Sequence, residues 1–204
     1  MRVRKPMSQN KYLLTQSLIS SWLWALKLED GFEDFLKTLH NERTPPTKAM
    51  LDGIRFENVL NACLDGEEIE QGHEWYEPIT RLKRGLTGSQ QQVAVSRNIT
   101  LCGIDFVLYG KLDYLKAGVI YDTKFSKTYK VGKYLDSVQH PFYFELVPEA
   151  YKFQYLVCDG KDIFVETYTP DEVEPITKTI EQFMGFLERT ELIQTYFDNW
   201  KSKY

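Results

Sequence analysis

Asp113, Asp122 and Lys124 lie within one short stretch, GKLDYLKAGVIYDTKFS, residues 110–126. Side chains alternate along a strand, so in Val119-Ile120-Tyr121-Asp122-Thr123-Lys124 the Asp122 carboxylate and the Lys124 ammonium share one face, with Tyr121 and Thr123 on the other. If that face is partly buried, both charges are costly unless they serve each other, a metal ion or a substrate. Lys116-Ala117-Gly118 reads as a hairpin turn, which would return the chain so that Asp113 and Asp122 come within reach of one cation. Two carboxylates with a backbone carbonyl and waters make a hard-oxygen site suited to Mg²⁺ or Mn²⁺. Beside it, Lys124 would hold or polarise an attacking water and counter charge growing on a phosphoryl group. The same residues admit a structural account with equal ease, Asp113 as a turn residue and Asp122–Lys124 as a solvated pair on an edge strand. D-x-K alone is a weak motif.

The segment after Lys124 adds positive charge to a chain whose formal net charge is −4. Lys127, Lys130 and Lys133 recur with Tyr129 among them and no acidic residue before Asp136, a combination that contacts phosphates and stacks bases, or else forms a solvated loop. Gln139 and Tyr143 are four apart and share a face if helical; Pro141 is comfortable only in a first turn, which puts the helix start near Ser137. His40, His73 and His140 have no second ligand at metal spacing and are read as non-catalytic. Arg81, Lys83 and Arg84 are either backbone contacts to nucleic acid or a surface loop.

The elements that would position these groups are legible in outline. Residues 15–27 pattern as a short helix with Leu18, Trp22 and Leu26 at helical spacing, its tryptophans assigned to the core. Thr47 is placed to cap a second helix that carries Met50, Leu51, Ile54 and Leu60 up to Asp65-Gly66. Glu57 falls on that apolar stripe, where a carboxylate is either a boundary residue or functional. QVAVSRNITLCGIDFVLYGKLDYL is strand-like, with Arg97-Asn98 and Gly103 as expected turns or bulges. KFQYLVCDGKDIFVETYTP predicts a hairpin across Asp159-Gly160. Thr169 and Pro170 then predict a helix start, with Val173, Ile176, Ile180, Phe183 and Leu187 as its stripe. The terminal Tyr196, Phe197 and Trp200 are assigned mostly to packing.

With 204 residues, 43% of them hydrophobic, the chain can bury a substantial core, and residues 1–204 are expected to form one domain. Its charge argues against coating nucleic acid by bulk attraction while leaving room for a local basic groove. Cys63, Cys102 and Cys158 lack ligand spacing, which supports neither a zinc site nor an iron–sulfur cluster. Met1-Arg-Val-Arg-Lys-Pro lacks the apolar stretch of a signal peptide and no run is long enough to cross a bilayer, so a cytoplasmic protein without membrane contact is expected.

Taken together, Glu57 on an early helix, GxxD ending at Asp113, D-x-K at Asp122-Thr123-Lys124 and Gln139-x-x-x-Tyr143 resemble the PD-(D/E)XK nuclease superfamily, and within it the RecB-like, phage-type exonuclease branch. The likeness spans about residues 10–170; NKYLLTQSLISSWLWAL, GIRFENVL and GSQQQVAV agree with it. The proline of "PD" is absent before Asp113, as are the four cysteines that some members hold around an iron–sulfur cluster. The resemblance implies an α/β, restriction-endonuclease-like core, a central mixed β-sheet flanked by α-helices. It implies Asp113 and Asp122 as ligands of Mg²⁺ or Mn²⁺, the Thr123 carbonyl and Glu57 completing the site, and Lys124 orienting the hydrolytic water. Gln139 and Tyr143 would fix the lysine, the phosphate or a strand end. The implied activity is metal-dependent DNA exonuclease in phage or prophage recombination, repair or processing. A recombinase or single-strand annealing protein and a homo-oligomer are the implied partners beside DNA. The alternatives are a DNA-binding or regulatory protein on the same fold without turnover, and an endonuclease.

Overall fold

Two tight hairpins form the spine of the molecule. The computed structural model describes residues 10–28, 31–42 and 44–203, so the basic segment Met1–Pro6 lies outside the described residues. Strands β2 (Gln90–Leu101), β3 (Ile104–Lys116) and β4 (Val119–Phe125) are joined by two-residue turns at Cys102-Gly103 and Ala117-Gly118. All four turn residues have positive φ (53°, 73°, 48° and 75°), the backbone whose twist matches that of the strands it joins. Gly103 and the 116–118 turn thus fall where expected. Arg97-Asn98 do not turn: β2 runs through them, pairing Arg97 with Leu108 and Asn98 with Val107. Local turn preference there yields to a ladder whose other positions are occupied by β-branched and aromatic residues.

With β1 (Tyr12–Thr15), β5 (Lys152–Cys158) and β6 (Ile163–Tyr168) the sheet has the order β1-β3-β4-β5-β6, and β2 lies along the other edge of β3. β1 runs parallel to β3 and β4 to β5; the other neighbours are antiparallel. One edge of β3 is therefore shared. Phe106–Tyr109 pair with β1 and Tyr114–Lys116 with β4, which leaves residues 110–113 at a fork between the two partners. The turn between β5 and β6 is closed by Asp159 Oδ1, which accepts from the amides of Lys161 and Asp162 at 2.9 and 2.8 Å.

Helices α1 (Gln16–Ala25), α2 (Gly31–Leu39), α3 (Lys48–Leu64), α4 (Tyr76–Leu86), α5 (Gln139–Leu146), α6 (Ile176–Arg189) and α7 (Ile193–Asn199) cover the sheet. Alternation along β5 divides them: Phe153, Tyr155 and Val157 face a larger core with α1, α2, α5, α6 and α7, whereas Leu156 and Cys158 face a smaller one with α3 and α4. The chain is an α/β protein whose mixed sheet is flanked by helices, as a restriction-endonuclease-like core requires.

Helix boundaries refine the sequence reading. Thr15 caps α1, accepting from Leu18 N at 3.3 Å. Leu18, Ile19 and Trp22 are buried but Trp24 and Leu26 are exposed. Trp22 and Trp24 stand about 200° apart around a helix, so one apolar face cannot take both, and Leu26 falls at the C-cap. Thr47 caps α3, accepting from Met50 N at 3.3 Å. The buried stripe there is Phe56, Leu60 and Cys63, with Met50, Leu51 and Ile54 exposed. Thr169 caps only a three-residue 3₁₀ turn, Pro170–Glu172. α6 starts at Ile176 because Pro175 lacks an amide hydrogen and disfavours helical backbone before it, so Val173 packs from outside the helix. No helix among the described residues is long and apolar enough to cross a membrane.

Candidate functional site

β3 changes phase at Asp113. Leu112 and Leu115, three apart, both meet the larger core, while Tyr114 between them joins the smaller one. Opposite Asp113 on β2, Gln92 drops out of the ladder between Gln91↔Tyr114 and Val93↔Leu112 and takes φ +52°, a left-handed backbone that costs a non-glycine residue of order 1 kcal/mol. The slip turns the Asp113 carboxylate toward β4, where Oδ2 accepts from Thr123 N at 2.9 Å and Thr123 Oγ1 at 3.4 Å. Burial above all, then the charge of Asp122, pushes Asp113 up to about 8.

Asp122 and Lys124 alternate onto one face as expected. Gln139 Nε2 donates to Asp122 Oδ1 at 2.5 Å. Lys124 Nζ stands 2.6 Å from Oδ2 as an ion pair, but off the direction of a hydrogen bond, so this buried oxygen has no conventional donor. Burial works against the Lys124 ammonium; the charges of Asp122 and Asp113 outweigh it and hold its pKa above the ordinary lysine value. Lys124 is therefore a hydrogen-bond donor and a positive charge here, not a base.

α5 fills the fork in the sheet. Pro141 lies in its first turn, and Ser137 Oγ accepts from Gln139 N at 3.2 Å. Tyr143 points to the same cleft but bonds the backbone, its hydroxyl donating to Lys111 O at 3.0 Å, in the stretch of β3 between its pairings with β1 and β4. Gly110 makes this approach feasible: a Cβ there would sit 2.6 Å from Tyr143 Cε1 and 2.8 Å from Leu146 Cδ1. Tyr143 thus acts in the structure by seating the helix that carries Gln139.

Glu57 is beside this cluster and not closed upon it. Its Oε1 accepts from Gln92 Nε2 at 2.7 Å, although its charge still raises the Asp113 pKa. Among the described residues no group of three or more His, Cys, Asp or Glu side chains could hold a metal ion, so the ligand set of Asp113, Asp122 and Glu57 is not assembled as a triad. Gln92 escaped the sequence reading; its only signal is a run of glutamines, residues 90–92, where a strand favours β-branched residues.

The basic segment is pinned from below. Glu166, nearly buried, accepts from Tyr129 OH at 2.6 Å, Tyr168 OH at 2.7 Å, Gly132 N at 3.1 Å and Tyr134 N at 3.3 Å. The Tyr129 ring is half-buried and packs on Phe164 at 4.9 Å. Lys130 is exposed, Lys133 donates to Ser126 Oγ at 2.8 Å and Lys127 pairs across to Asp52 at 3.9 Å. Arg81, Lys83 and Arg84 belong to α4, not to a loop. His140 is buried, stacked on Tyr168 at 4.0 Å, with Nδ1 3.1 Å from Tyr155 OH; burial pushes it down to about 4 and keeps it neutral. The cysteines are free, Cys63 and Cys158 buried and Cys102 exposed.

No family model and no curated protein matches the chain. Among solved structures it is similar to one described as the crystal structure of SSO0001, with a TM-score of 0.51 and 14% identity over 89% of this chain and 79% of that one. At this identity the likeness is one of fold, and the chain shares the α/β architecture of that structure.

Proposed function

We propose that the chain is a metal-dependent deoxyribonuclease that hydrolyses phosphodiester bonds from DNA ends. The observation that carries this reading is the buried Asp122, held between Lys124 and Gln139 with one oxygen lacking a conventional donor, next to an Asp113 whose pKa is raised by that same neighbour. A carboxylate pair short of positive charge, made of hard oxygens, fits Mg²⁺ or Mn²⁺, and magnesium sites commonly use one or two carboxylates with water and substrate phosphate supplying the rest. Asp113 and Asp122 would hold the ion with the Thr123 carbonyl, and Glu57, kept near by Gln92, would join through water.

When bound, such an ion acidifies water and offsets charge on the phosphoryl oxygens. Lys124, kept protonated by Asp122 and Asp113, donates to the attacking water or to a non-bridging oxygen and fixes its direction. Gln139 holds Asp122 in one orientation, and Tyr143 holds Gln139's helix in the fork. Lys127, Lys130 and Lys133 supply phosphate contacts at the mouth of the site. In the reaction the water oxygen bonds to phosphorus and gives up one proton, the bond to the leaving sugar oxygen breaks, and that oxygen departs with a proton, so one water is consumed per bond cleaved.

Digestion of end-labelled linear DNA and closed circular DNA, with Mg²⁺ and with EDTA, tests the reading. Linear DNA is lost only with Mg²⁺, circles persist, and Lys124→Ala lowers the rate at least a hundredfold. Cleavage of circles would make it an endonuclease. Survival of every substrate would leave a binding protein without turnover.

A further inference from the structure

α1 carries one tryptophan into the core and holds the next out in solvent. Trp22 is 4% exposed and Trp24 60%. Trp24 lines a surface groove of about 290 Å³ together with Lys27, Lys133, Asp136, Ser137 and Val138, a volume near the lower end for small-ligand pockets, ~300 Å³. Lys27 is one turn beyond Trp24, and Lys133, whose ammonium donates to Ser126 Oγ at 2.8 Å, lines the groove from the basic segment, so an indole and two lysines share the groove with one acidic residue, Asp136. Val138 of the groove lining is followed in the chain by Gln139, the residue that touches Asp122. An exposed aromatic face beside basic side chains is how unpaired nucleic acid is held: a base stacks on the ring and the cations take the flanking phosphates. A duplex keeps its internal base faces stacked and exposes only those of its terminal pairs, so along its length it has none to offer a single side chain.

We infer that the Trp24–Lys27–Lys133 groove is a subsite for an unpaired nucleotide of a DNA strand leading to the site proposed above. The inference rests on the deoxyribonuclease reading for its direction, and its test is one of binding. Trp75 and Trp200 are also buried, at 3% and 8% exposed, so quenching of tryptophan fluorescence by a stacked base reports Trp24. The full chain is titrated in EDTA with a fluorescein-labelled oligothymidylate and with a blunt duplex of equal length, anisotropy giving affinity and fluorescence giving stacking.

The expected result is saturable quenching by the single strand and not by the duplex, loss of affinity by about tenfold or more in Trp24→Ala, and retention in Trp24→Phe, which keeps a ring but not the signal. Lys27→Ala and Lys133→Ala each reduce the slope of log affinity against log salt by about 0.7. The side chain of Trp24 is largely in solvent, so its loss leaves the melting temperature in place. Wild-type affinity in Trp24→Ala overturns the subsite while leaving hydrolysis untouched; so does equal, Trp24-dependent binding of blunt duplex. A concentration-dependent dimer in sedimentation that Trp24→Ala dissolves also overturns it, since a second copy then covers the ring. Quenching without digestion in Mg²⁺ upholds the subsite and removes the nuclease.

Discussion

Asp113 is more easily protonated than an ordinary carboxylate because burial and the Asp122 charge both oppose its ionisation. Its folded pKa of about 8 exceeds the unfolded value. Its contribution to stability is therefore complete below about pH 4 and lost as pH rises through about 8. Asp113→Asn keeps an oxygen to accept from Thr123 N and removes the charge. In EDTA at pH 8 this variant melts higher than the wild type, with the gap closing toward pH 4, and it loses Mg²⁺-dependent hydrolysis. A lower melting temperature at pH 8 would contradict the electrostatic account. The opposite sign belongs to His140, whose pKa near 4 means that the neutral ring supports the fold at neutral pH and that this support is lost as pH falls from about 6.5 through 4.

At the scale of elements, the site depends on α5 reaching into the fork of β3. Gly110→Ala places a methyl within 3 Å of the Tyr143 ring and Leu146, and the helix must move. Overpacking of this kind costs about 1–3 kcal/mol. Denaturant unfolding should show that loss, together with a larger fall in hydrolysis than in stability, because Gln139 moves with the helix while the core closes around it. Unchanged activity in the folded variant would separate α5 from the chemistry. The same element logic explains the helix errors in the sequence reading: a stripe is counted from the residues that meet the sheet, and Phe56 rather than Ile54 begins it on α3.

Over the whole molecule, the two ends of the described chain are tied together. Leu13 N donates to Trp200 O at 2.7 Å, Tyr196 OH donates to Leu13 O at 2.9 Å, Ser202 N donates to Lys11 O at 2.8 Å, and Trp200 Nε1 donates to Leu39 O at 2.9 Å. The C-terminal segment closes β1, α2 and α7 into one unit, which gives its aromatic residues the packing role expected of them. Trp200→Ala removes a buried ring and leaves Leu39 O unpaired, at a cost of about 3–5 kcal/mol. Thermal unfolding checks this, and because the hydrogen bonds of Trp200 go to Leu13 and Leu39 and not to the site residues, its variant should retain hydrolysis while folded.

By itself the sequence determined what local chemistry determines. Ala117-Gly118 and Cys102-Gly103 take left-handed turns, Thr15 and Thr47 cap helices, and period-two alternation sets Asp122 and Lys124 on one face of β4. The spacing of Gln139 and Tyr143 likewise placed both on the inner side of one helix. Only the tertiary structure decided what long-range pairing imposes. The shared edge of β3 creates the fork and the slip at Asp113, Gln92 takes φ +52° and holds Glu57, and Glu166 anchors the Tyr129 hydroxyl. Trp22 is chosen for the core over Trp24 because a helix has only one face toward the sheet, and nothing in a run of neighbouring residues says where the sheet will be.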